Sequence, residues 1–240
     1  MINAFLAAIQ FLTVIPVPAR AGPTPAAAAV LFPLVGGLLG ALAVALWSLL
    51  GPLFSPSLLV LLILALCAAL TGGLHEDGLA DTFDAFRAGR SREEILRILK
   101  DSRIGAFGAL ALVFSILIRW QALVELPPAQ IQPALLASQV LPRAGIVLLA
   151  YSAGGASRGL GGALADALTG WHVVAAGGLA LALTVPLLKW DALAPVTLCL
   201  AVIALSRGYY EKKIGGITGD CLGAANQLQE LSILVTYGRL

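Results

Sequence analysis

The chain has little charge for its length. Only 12% of its 240 residues are Asp, Glu, Lys or Arg, whereas 59% are hydrophobic. A soluble domain usually has about twice this charged fraction, so most of the chain is expected to lie in a lipid bilayer. Basic and acidic residues are nearly balanced, at 15 and 13, which gives no indication of a nucleic-acid partner. The three cysteines have no paired spacing, so they predict neither a disulfide framework nor a cysteine metal site.

Long apolar runs occupy most of the sequence, and a helix of about 20 residues is enough to cross a bilayer. The candidate spans are residues 27–50, 56–74, 104–124, 132–150, 171–188 and 191–206. We therefore predict an all-α, polytopic membrane bundle of about six transmembrane helices that forms a single domain over residues 1–240. The apolar segment before Pro16 is predicted to be a short interfacial or re-entrant helix, and polar segments are predicted to form cytoplasmic helices.

Basic residues fall mostly on one side of the predicted bundle. When the loops are assigned alternately, this side receives Arg20, the cluster within 87–103, Arg158, Arg207, Lys212, Lys213 and Arg239. The opposite side receives little besides Arg119 and Lys189. Because basic loop residues are retained in the cytoplasm, the first side and both termini are predicted to be cytoplasmic. The glycines at 36, 37 and 40 can pack helices within one chain or between two, so a homo-oligomer is left open.

The stretch HEDGLADTFD, residues 75–84, places five ionisable side chains in this apolar chain. Asp77, Asp81 and Asp84 are spaced i, i+4 and i+7, so on a helix they share one face. Like charges repel there unless a cation balances them, and carboxylates on adjacent turns suit Mg²⁺ or Mn²⁺ with phosphate as a further ligand. We predict a divalent-metal site, with a solvated helix face as the alternative. His75 is either a further ligand, a helix cap or a hydrogen-bond donor.

Two further segments place polar groups beside the predicted spans. Lys100 and Arg103 precede one span, where they are either ordinary cytoplasmic anchors or a clamp for a diphosphate. Glycines surround Asp220, and Asn226 and Glu230 follow one helical turn apart. This pattern is suited to phosphate, ribose or a second metal, and a flexible loop before an amphipathic helix is the alternative.

Arg143 lies inside the predicted span 132–150, directly after Pro142. A charge at membrane depth is costly, so Arg143 is expected to face a cavity or an anionic partner. The alternative is a side chain that extends to the cytoplasmic interface.

Taken in sequence order, GGLHEDGLADTFD, KDSRIGAFG and GGITGDCLGA resemble the motifs of the cobalamin synthase family, the adenosylcobinamide-GDP ribazoletransferases. FLTVIPVP near the start and FPLVGGLLG at 32–40 are similar to that family too, so the resemblance extends over nearly the whole chain. It implies an integral enzyme of the bacterial inner membrane, with a cytoplasmic active site, that acts late in vitamin B12 biosynthesis. Such an enzyme joins adenosylcobinamide-GDP to α-ribazole or its 5′-phosphate, requires Mg²⁺, and releases GMP and adenosylcobalamin or its phosphate.

The resemblance also implies roles for individual residues. The pattern HxDGxxDxxD falls on His75, Asp77, Gly78, Asp81 and Asp84. The pattern KDSRxG falls on Lys100, Asp101, Ser102, Arg103 and Gly105. The pattern GGxTGD falls on Gly215, Gly216, Thr218, Gly219 and Asp220. Together with the residues above, the predicted catalytic set is Asp77, Asp81, Asp84 and Asp220, of which the first three are also the predicted metal ligands. The predicted substrate-binding set is His75, Lys100, Asp101, Ser102, Arg103, Arg143, Gly216, Thr218, Asn226 and Glu230. Ala85 departs from the family, which more often has Gly there, and the carboxylates are unaffected.

Two alternative functions are weighed against this enzyme. The aspartate spacing resembles a shortened form of the motif in CDP-alcohol phosphotransferases, but the further downstream aspartates of that family are absent. A small transporter also has intramembrane charges and Gly-rich breaks, but its charges are spread along a path across the membrane. Here the polar groups cluster on one side, which favours an enzyme.

Overall fold

The computed structural model describes residues 1–18, 24–157 and 159–237, and in these ranges the chain is helical, without strands. The helices are α1 Ile2–Leu12, α2 Pro25–Ala29, α3 Phe32–Leu50, α4 Pro56–Thr71, α5 Leu74–Ala88, α6 Arg92–Ile98, α7 Ala106–Val124, α8 Pro128–Ala153, α9 Leu160–Ala167, α10 Gly170–Leu188, α11 Leu193–Ile214 and α12 Gly219–Tyr237. The predicted N-terminal helix is α1, which packs on α2 and α3.

Several helices start where the sequence has a cap followed by proline. The Thr24 hydroxyl accepts a hydrogen bond from the backbone N–H of Ala27 at 3.2 Å, directly before Pro25. Ser55 does the same for Leu58 at 3.4 Å. Proline at the first helical position lacks an N–H that would be unpaired there, so these residues begin α2 and α4 at low cost.

The long helix α8 lies at the centre of the bundle and contacts α3, α10, α11 and α12. In its most apolar stretch 78% of residues are buried, against 22% for α7, which leaves α7 free to face lipid. The glycines of α3 allow a close approach to α8: a Cβ on Gly40 would lie 2.9 Å from Leu136 Cδ1. Gly36 contacts α8 and Gly37 contacts α8 and α10 of the same chain. These glycines therefore pack helices internally, and a homo-oligomer stays a prediction.

Four helical runs are long and apolar enough to cross a membrane, namely 25–50, 106–124, 128–153 and 170–214. The pair of α4 and α5, bent by 87°, is a fifth candidate. These helices confirm the predicted all-α, polytopic membrane architecture. The orientation stays a prediction, and three of the residues behind it, Arg20, Arg158 and Arg239, lie outside the described residues.

The run 170–214 consists of two helices, because α10 and α11 are joined by a 3-10 turn at Lys189–Ala192. Val173 of α10 and Ile203 of α11 line one cavity of about 240 Å³ beside α8. A straight helix would hold these residues about 45 Å apart. The chain therefore turns back at residues 189–192, and the two helices match the predicted spans 171–188 and 191–206. Counted separately, α10 and α11 raise the four apolar runs to five, and α4, which ends at the 87° bend, is the sixth candidate.

Candidate active site

The acidic motif follows a sharp turn between α4 and α5. Gly72 and Gly73 have φ of 65° and 69°, a left-handed conformation that costs glycine little. Because the helix axis bends by 87° at this turn, α5 does not continue the membrane helix α4 and lies outside the spanning segments. The predicted helix across the aspartates is present, since α5 runs from Leu74 to Ala88.

The three aspartates of α5 have different surroundings, because Asp77 is exposed, Asp81 is half-buried and Asp84 is buried. The carboxylate of Asp84 accepts hydrogen bonds from the backbone N–H groups of Gly105 at 2.6 Å and Gly108 at 2.9 Å. These N–H groups belong to the N-terminus of α7, where they have no partner within the helix. Asp84 therefore caps α7 and ties it to α5, and its role as a metal ligand stays a prediction.

Helix α12 brings a further carboxylate close to Asp77 and Asp81. A Cβ on Gly78 would lie 2.8 Å from the carbonyl oxygen of Asp220 and 3.1 Å from Cα of Gly223, so α5 and α12 cross with their backbones in contact. Burial, followed by the negative charges of Asp77 and Asp220, raises the pKa of Asp81 to about 6. Burial also raises the pKa of Asp220. The three carboxylates thus lie in one negative region.

The donor chemistry of this region suits a hard divalent cation. Asp77 and Asp81 form no ion pair with any basic side chain in the described part of the chain. Unbalanced carboxylate oxygens are the ligands that Mg²⁺ and Mn²⁺ prefer. Within residues 1–18, 24–157 and 159–237, however, no three His, Cys, Asp or Glu side chains stand in a ready-made metal site. The ligand type therefore fits the predicted metal, while the complete ligand set is not preassembled.

A cavity of about 330 Å³, here called the apolar cavity, lies beside Asp77 and Asp220. Its walls come from α1, α5, α6, α8, α9, α12 and the loop before α9, and include Phe11, Leu96, Leu99, Ile146, Leu160 and Leu222. Lys100, Ser157 and Thr218 also line it.

His75 lines the apolar cavity and is only 2% exposed. Its Nε2 has no hydrogen-bond partner among the described residues. Burial, together with the positive charges of Arg143 and Arg119, holds the pKa of His75 well below its usual range. The imidazole is therefore neutral and has a nitrogen available to a ligand.

A second cavity of about 580 Å³, here called the polar cavity, is lined by the Gly72–Gly73 turn, Asp77, Asp81 and Ser102. Leu74 and Asp77 line both the polar and the apolar cavity. The carboxylate of Asp77 thus stands where the two cavities meet.

The segment KDSR is divided between the two cavities. Lys100 lines the apolar cavity, whereas Ser102 lines the polar cavity. The side chain of Arg103 is 84% exposed and pairs with Asp101, with Nη2 lying 2.6 Å from Oδ2. Hydrogen bonds from Arg103 lower the pKa of Asp101 to about 2. The predicted clamp of Lys100 and Arg103 is not assembled in this structure and stays a prediction.

The loop after α8 and the loop before α12 run side by side. The Ala156 N–H donates to the Ile217 carbonyl at 2.9 Å, and the Ile217 N–H donates to the Gly154 carbonyl at 2.9 Å. A Cβ on Gly216 would lie 2.9 Å from both Ala156 N and Gly154 O, so the space beside Gly216 is filled by protein. Its predicted contact with substrate stays untested.

Arg92 of α6 connects the loop after α8 to the last residue of α11, where the loop before α12 begins, and it was not among the predicted site residues. Its Nε donates to the carbonyl of Ile214 at 2.9 Å and its Nη2 to the carbonyl of Ala156 at 2.9 Å. The same loops carry Ser157 and Thr218 to the apolar cavity. Because its partners are main-chain carbonyls, no side-chain motif could have indicated Arg92.

Arg143, Asn226 and Glu230 line neither of these two cavities and are 2%, 0% and 3% exposed. Their predicted contacts with substrate stay untested. Arg143 is too deeply buried to extend to the interface. Its Nε and Nη1, and both side-chain amide atoms of Asn226, lack a hydrogen-bond partner within the described ranges.

Glu230 belongs to a buried polar layer that joins α5, α7, α8 and α12. It accepts a hydrogen bond from Gln139 at 2.9 Å and pairs with Arg119 at 3.3 Å. Arg119 also lies 3.6 Å from Glu76. Arg119 is 5% exposed and paired inside the bundle, so it is not a loop residue, and the side of the membrane assigned to it stays a prediction.

Comparison with known proteins adds a separate line of information. A family model described as cobalamin-5-phosphate synthase matches residues 4–238. The chain is 39% identical to the adenosylcobinamide-GDP ribazoletransferase of Chlorobaculum tepidum, over 97% of this chain and 94% of that protein. Proteins of the same name from Ralstonia pickettii and Klebsiella pneumoniae are 40% and 37% identical, over 97% and 98% of this chain and 93% and 99% of theirs. No solved structure matches the chain.

Proposed function

The chain belongs to the cobalamin-5-phosphate synthase family, and we propose that it transfers the adenosylcobinamide-phosphate group of adenosylcobinamide-GDP to α-ribazole or α-ribazole 5′-phosphate. Its relatives are named for this transfer, a late step of vitamin B12 biosynthesis. The comparisons favour neither a CDP-alcohol phosphotransferase nor a transporter. The observation that carries the proposal is the carboxylate of Asp77, which lies between two cavities and beside the carboxylates of Asp81 and Asp220.

The reaction exchanges the phosphoanhydride bond of the donor for a new phosphate ester bond. A ribose hydroxyl of the acceptor attacks the phosphorus nearer to cobinamide, a new P–O bond forms, and the bond to the GMP phosphate breaks. GMP leaves with the electron pair of that bond, and the hydroxyl proton passes to a carboxylate. Asp77 and Asp220 are the candidate bases because both line the apolar cavity, and a base must lie within hydrogen-bond reach of its proton.

Asp77, Asp81 and Asp220 would hold the divalent metal, since they share one negative region that has no basic partner among the described residues. A bound Mg²⁺ neutralises charge that develops on phosphate oxygens. Asp84 contributes by fixing the start of α7 against α5. Ser102, which follows α6 in the chain, lines the polar cavity and is placed to contact the diphosphate.

The apolar helices make this a membrane protein. We place it in the bacterial inner membrane with its active site on the cytoplasmic side, because Lys100 and Arg103 lie near the acidic region and Lys213 lies in the last turn of α11, which leads to it. Basic residues are retained on the cytoplasmic side.

The test uses purified protein in detergent with adenosylcobinamide-GDP, α-ribazole and Mg²⁺, and measures GMP release. Asp77→Asn is expected to lower turnover at least about a hundredfold, because a carboxylate that binds metal or accepts a proton is lost. Glu93→Gln, which removes an exposed acid on α6, is the matched control and should keep wild-type turnover. Wild-type protein without GMP release would refute the function, and an active Asp77→Asn would refute the site.

A further inference from the structure

A transfer between two substrates needs two binding places that meet at the reacting atoms. The apolar and polar cavities share Asp77 and Leu74, so they meet at the acidic region. We infer that the apolar cavity is the acceptor subsite, which binds the nucleoside through its base and ribose, and that the polar cavity binds the diphosphate of the donor. This assignment rests on the proposed function.

The apolar cavity has the properties of a site for a flat, apolar base. Its volume of about 330 Å³ lies within the range of about 300–1,000 Å³ that small-molecule sites occupy. The base of α-ribazole is a dimethylated benzimidazole, which has an apolar ring and few polar atoms. The side chains of Phe11, Leu99 and Ile146 provide apolar contacts on several sides.

Polar groups at the same cavity match the rest of a nucleoside. His75 is buried and its Nε2 is without a partner among the described residues, so a hydrogen bond to a ligand would relieve the cost of burying it. Asp77 and Asp220 can accept hydrogen bonds from the ribose hydroxyls. One of these hydroxyls must lose its proton in the reaction. The acceptor would thus be held with its hydroxyl end toward the polar cavity.

Lys100 is the basic side chain that lines the apolar cavity in the described part of the chain, and it is exposed. A 5′-phosphate on the acceptor would find its counter-charge there. An acceptor without the phosphate makes no use of that charge. Lys100 therefore gives a way to locate the acceptor. Its removal should weaken the binding of the phosphorylated acceptor and leave the binding of α-ribazole unchanged.

The polar cavity suits the donor for a different reason. Adenosylcobinamide-GDP is too large to be enclosed in a cavity of about 580 Å³, so only its diphosphate can enter while the remainder lies outside. Gly72 and Ser102 at this cavity are exposed, which keeps it open to such a ligand. Asp81 lines the same wall, where its carboxylate would repel a diphosphate unless the proposed divalent metal neutralised the charge.

The first experiment compares Lys100→Ala with wild type, using α-ribazole and α-ribazole 5′-phosphate as alternative acceptors. The KM for the phosphorylated acceptor should rise about tenfold, which corresponds to about 1.4 kcal/mol. The KM for α-ribazole and for the donor should change less than about twofold. Arg97→Ala, which removes another exposed basic residue of α6, is the matched control and should leave all three constants unchanged. An equal change for both acceptors, or a change for the donor alone, would overturn the assignment.

A second variant tests whether the benzimidazole base binds in the apolar cavity. Leu96 is half-buried at the wall of the apolar cavity, and Leu96→Trp should fill it and raise the KM of both acceptors at least about tenfold while the donor KM stays constant. A raised donor KM with unchanged acceptor KM would contradict the inference. If the wild-type protein releases no GMP, the proposed function has failed. If it turns over but both variants alter only the donor KM, the assignment of the cavities has failed alone.

Discussion

Replacing Asp84 by alanine should destabilise the protein even when no metal is bound. The carboxylate accepts one hydrogen bond from Gly105 and one from Gly108, at 2.6 and 2.9 Å. Hydrogen bonds to a charged group contribute about 1.5–3 kcal/mol each. Gly105 is exposed and water can replace its partner, so the lower value applies there, whereas Gly108 is buried. The expected loss is therefore about 3–4 kcal/mol, or about 10 °C in Tm for a chain of this size.

The assay is thermal unfolding in detergent, followed by tryptophan fluorescence in the presence of a chelator of divalent ions. Asp84→Asn keeps one acceptor oxygen and should lose about half as much as Asp84→Ala. Asp77→Ala is the control, because this aspartate is exposed and forms no ion pair with a described residue, so its Tm should stay within about 2 °C of wild type. A Tm for Asp84→Ala equal to wild type in chelator, with a difference only after Mg²⁺ is added, would refute the capping role.

Three more predictions concern other parts of the acidic region and its support. Because the pKa of Asp81 is raised to about 6, its charged form is unfavourable, so metal-free protein should gain stability as the pH falls from about 7 to 5. Asp81→Asn should be more stable than wild type at pH 7 and should lack this gain; an unchanged pH profile of Tm would contradict the prediction. Arg92→Ala removes the hydrogen bonds to the carbonyls of Ile214 and Ala156. It should raise the acceptor KM several-fold with a Tm loss of only a few degrees, and an unchanged KM would argue against loop positioning. Glu230→Ala leaves Arg119 without its nearer buried partner, so the free energy of unfolding, measured with denaturant, should fall by about 3 kcal/mol. A fall of less than about 1 kcal/mol would show that water replaces the pair.

The helical architecture could be predicted from the sequence because membrane insertion depends on a property that the sequence displays directly. A long apolar run predicts a span whatever its neighbours are. The boundaries depend on local chemistry, and the predicted span 56–74 ends at Thr71 in the structure because Gly72 adopts the left-handed conformation. A glycine pair indicates a turn, but only the structure gives its 87° angle.

The buried polar layer was only partly predicted, for a different reason. A charge within an apolar run looks the same in the sequence whether it anchors at an interface or pairs inside the bundle. Arg143 lies within a predicted span and is buried, which agrees with the expectation that it does not face lipid, whereas the cavity or anionic partner expected for it stays a prediction. Arg119 lies near the end of a span, where an anchor is equally plausible from sequence, and its partners Glu76 and Glu230 lie on other helices.

The aspartate spacing explains why the acidic site itself could be predicted only in outline. A spacing of i, i+4 and i+7 determines which side chains share a face of α5, but it contains no information about what packs against that face. The start of α7, which is more than 20 residues further along the chain, packs against Asp84. Its backbone N–H groups donate hydrogen bonds to the Asp84 carboxylate. The space at Gly78 is filled by α12, whose close crossing brings Asp220 to the acidic region. The set of carboxylates free to act is therefore determined by two helix contacts, so exchanging Gly78 for a larger residue should separate Asp220 from Asp77 and lower activity while leaving all the aspartates in place.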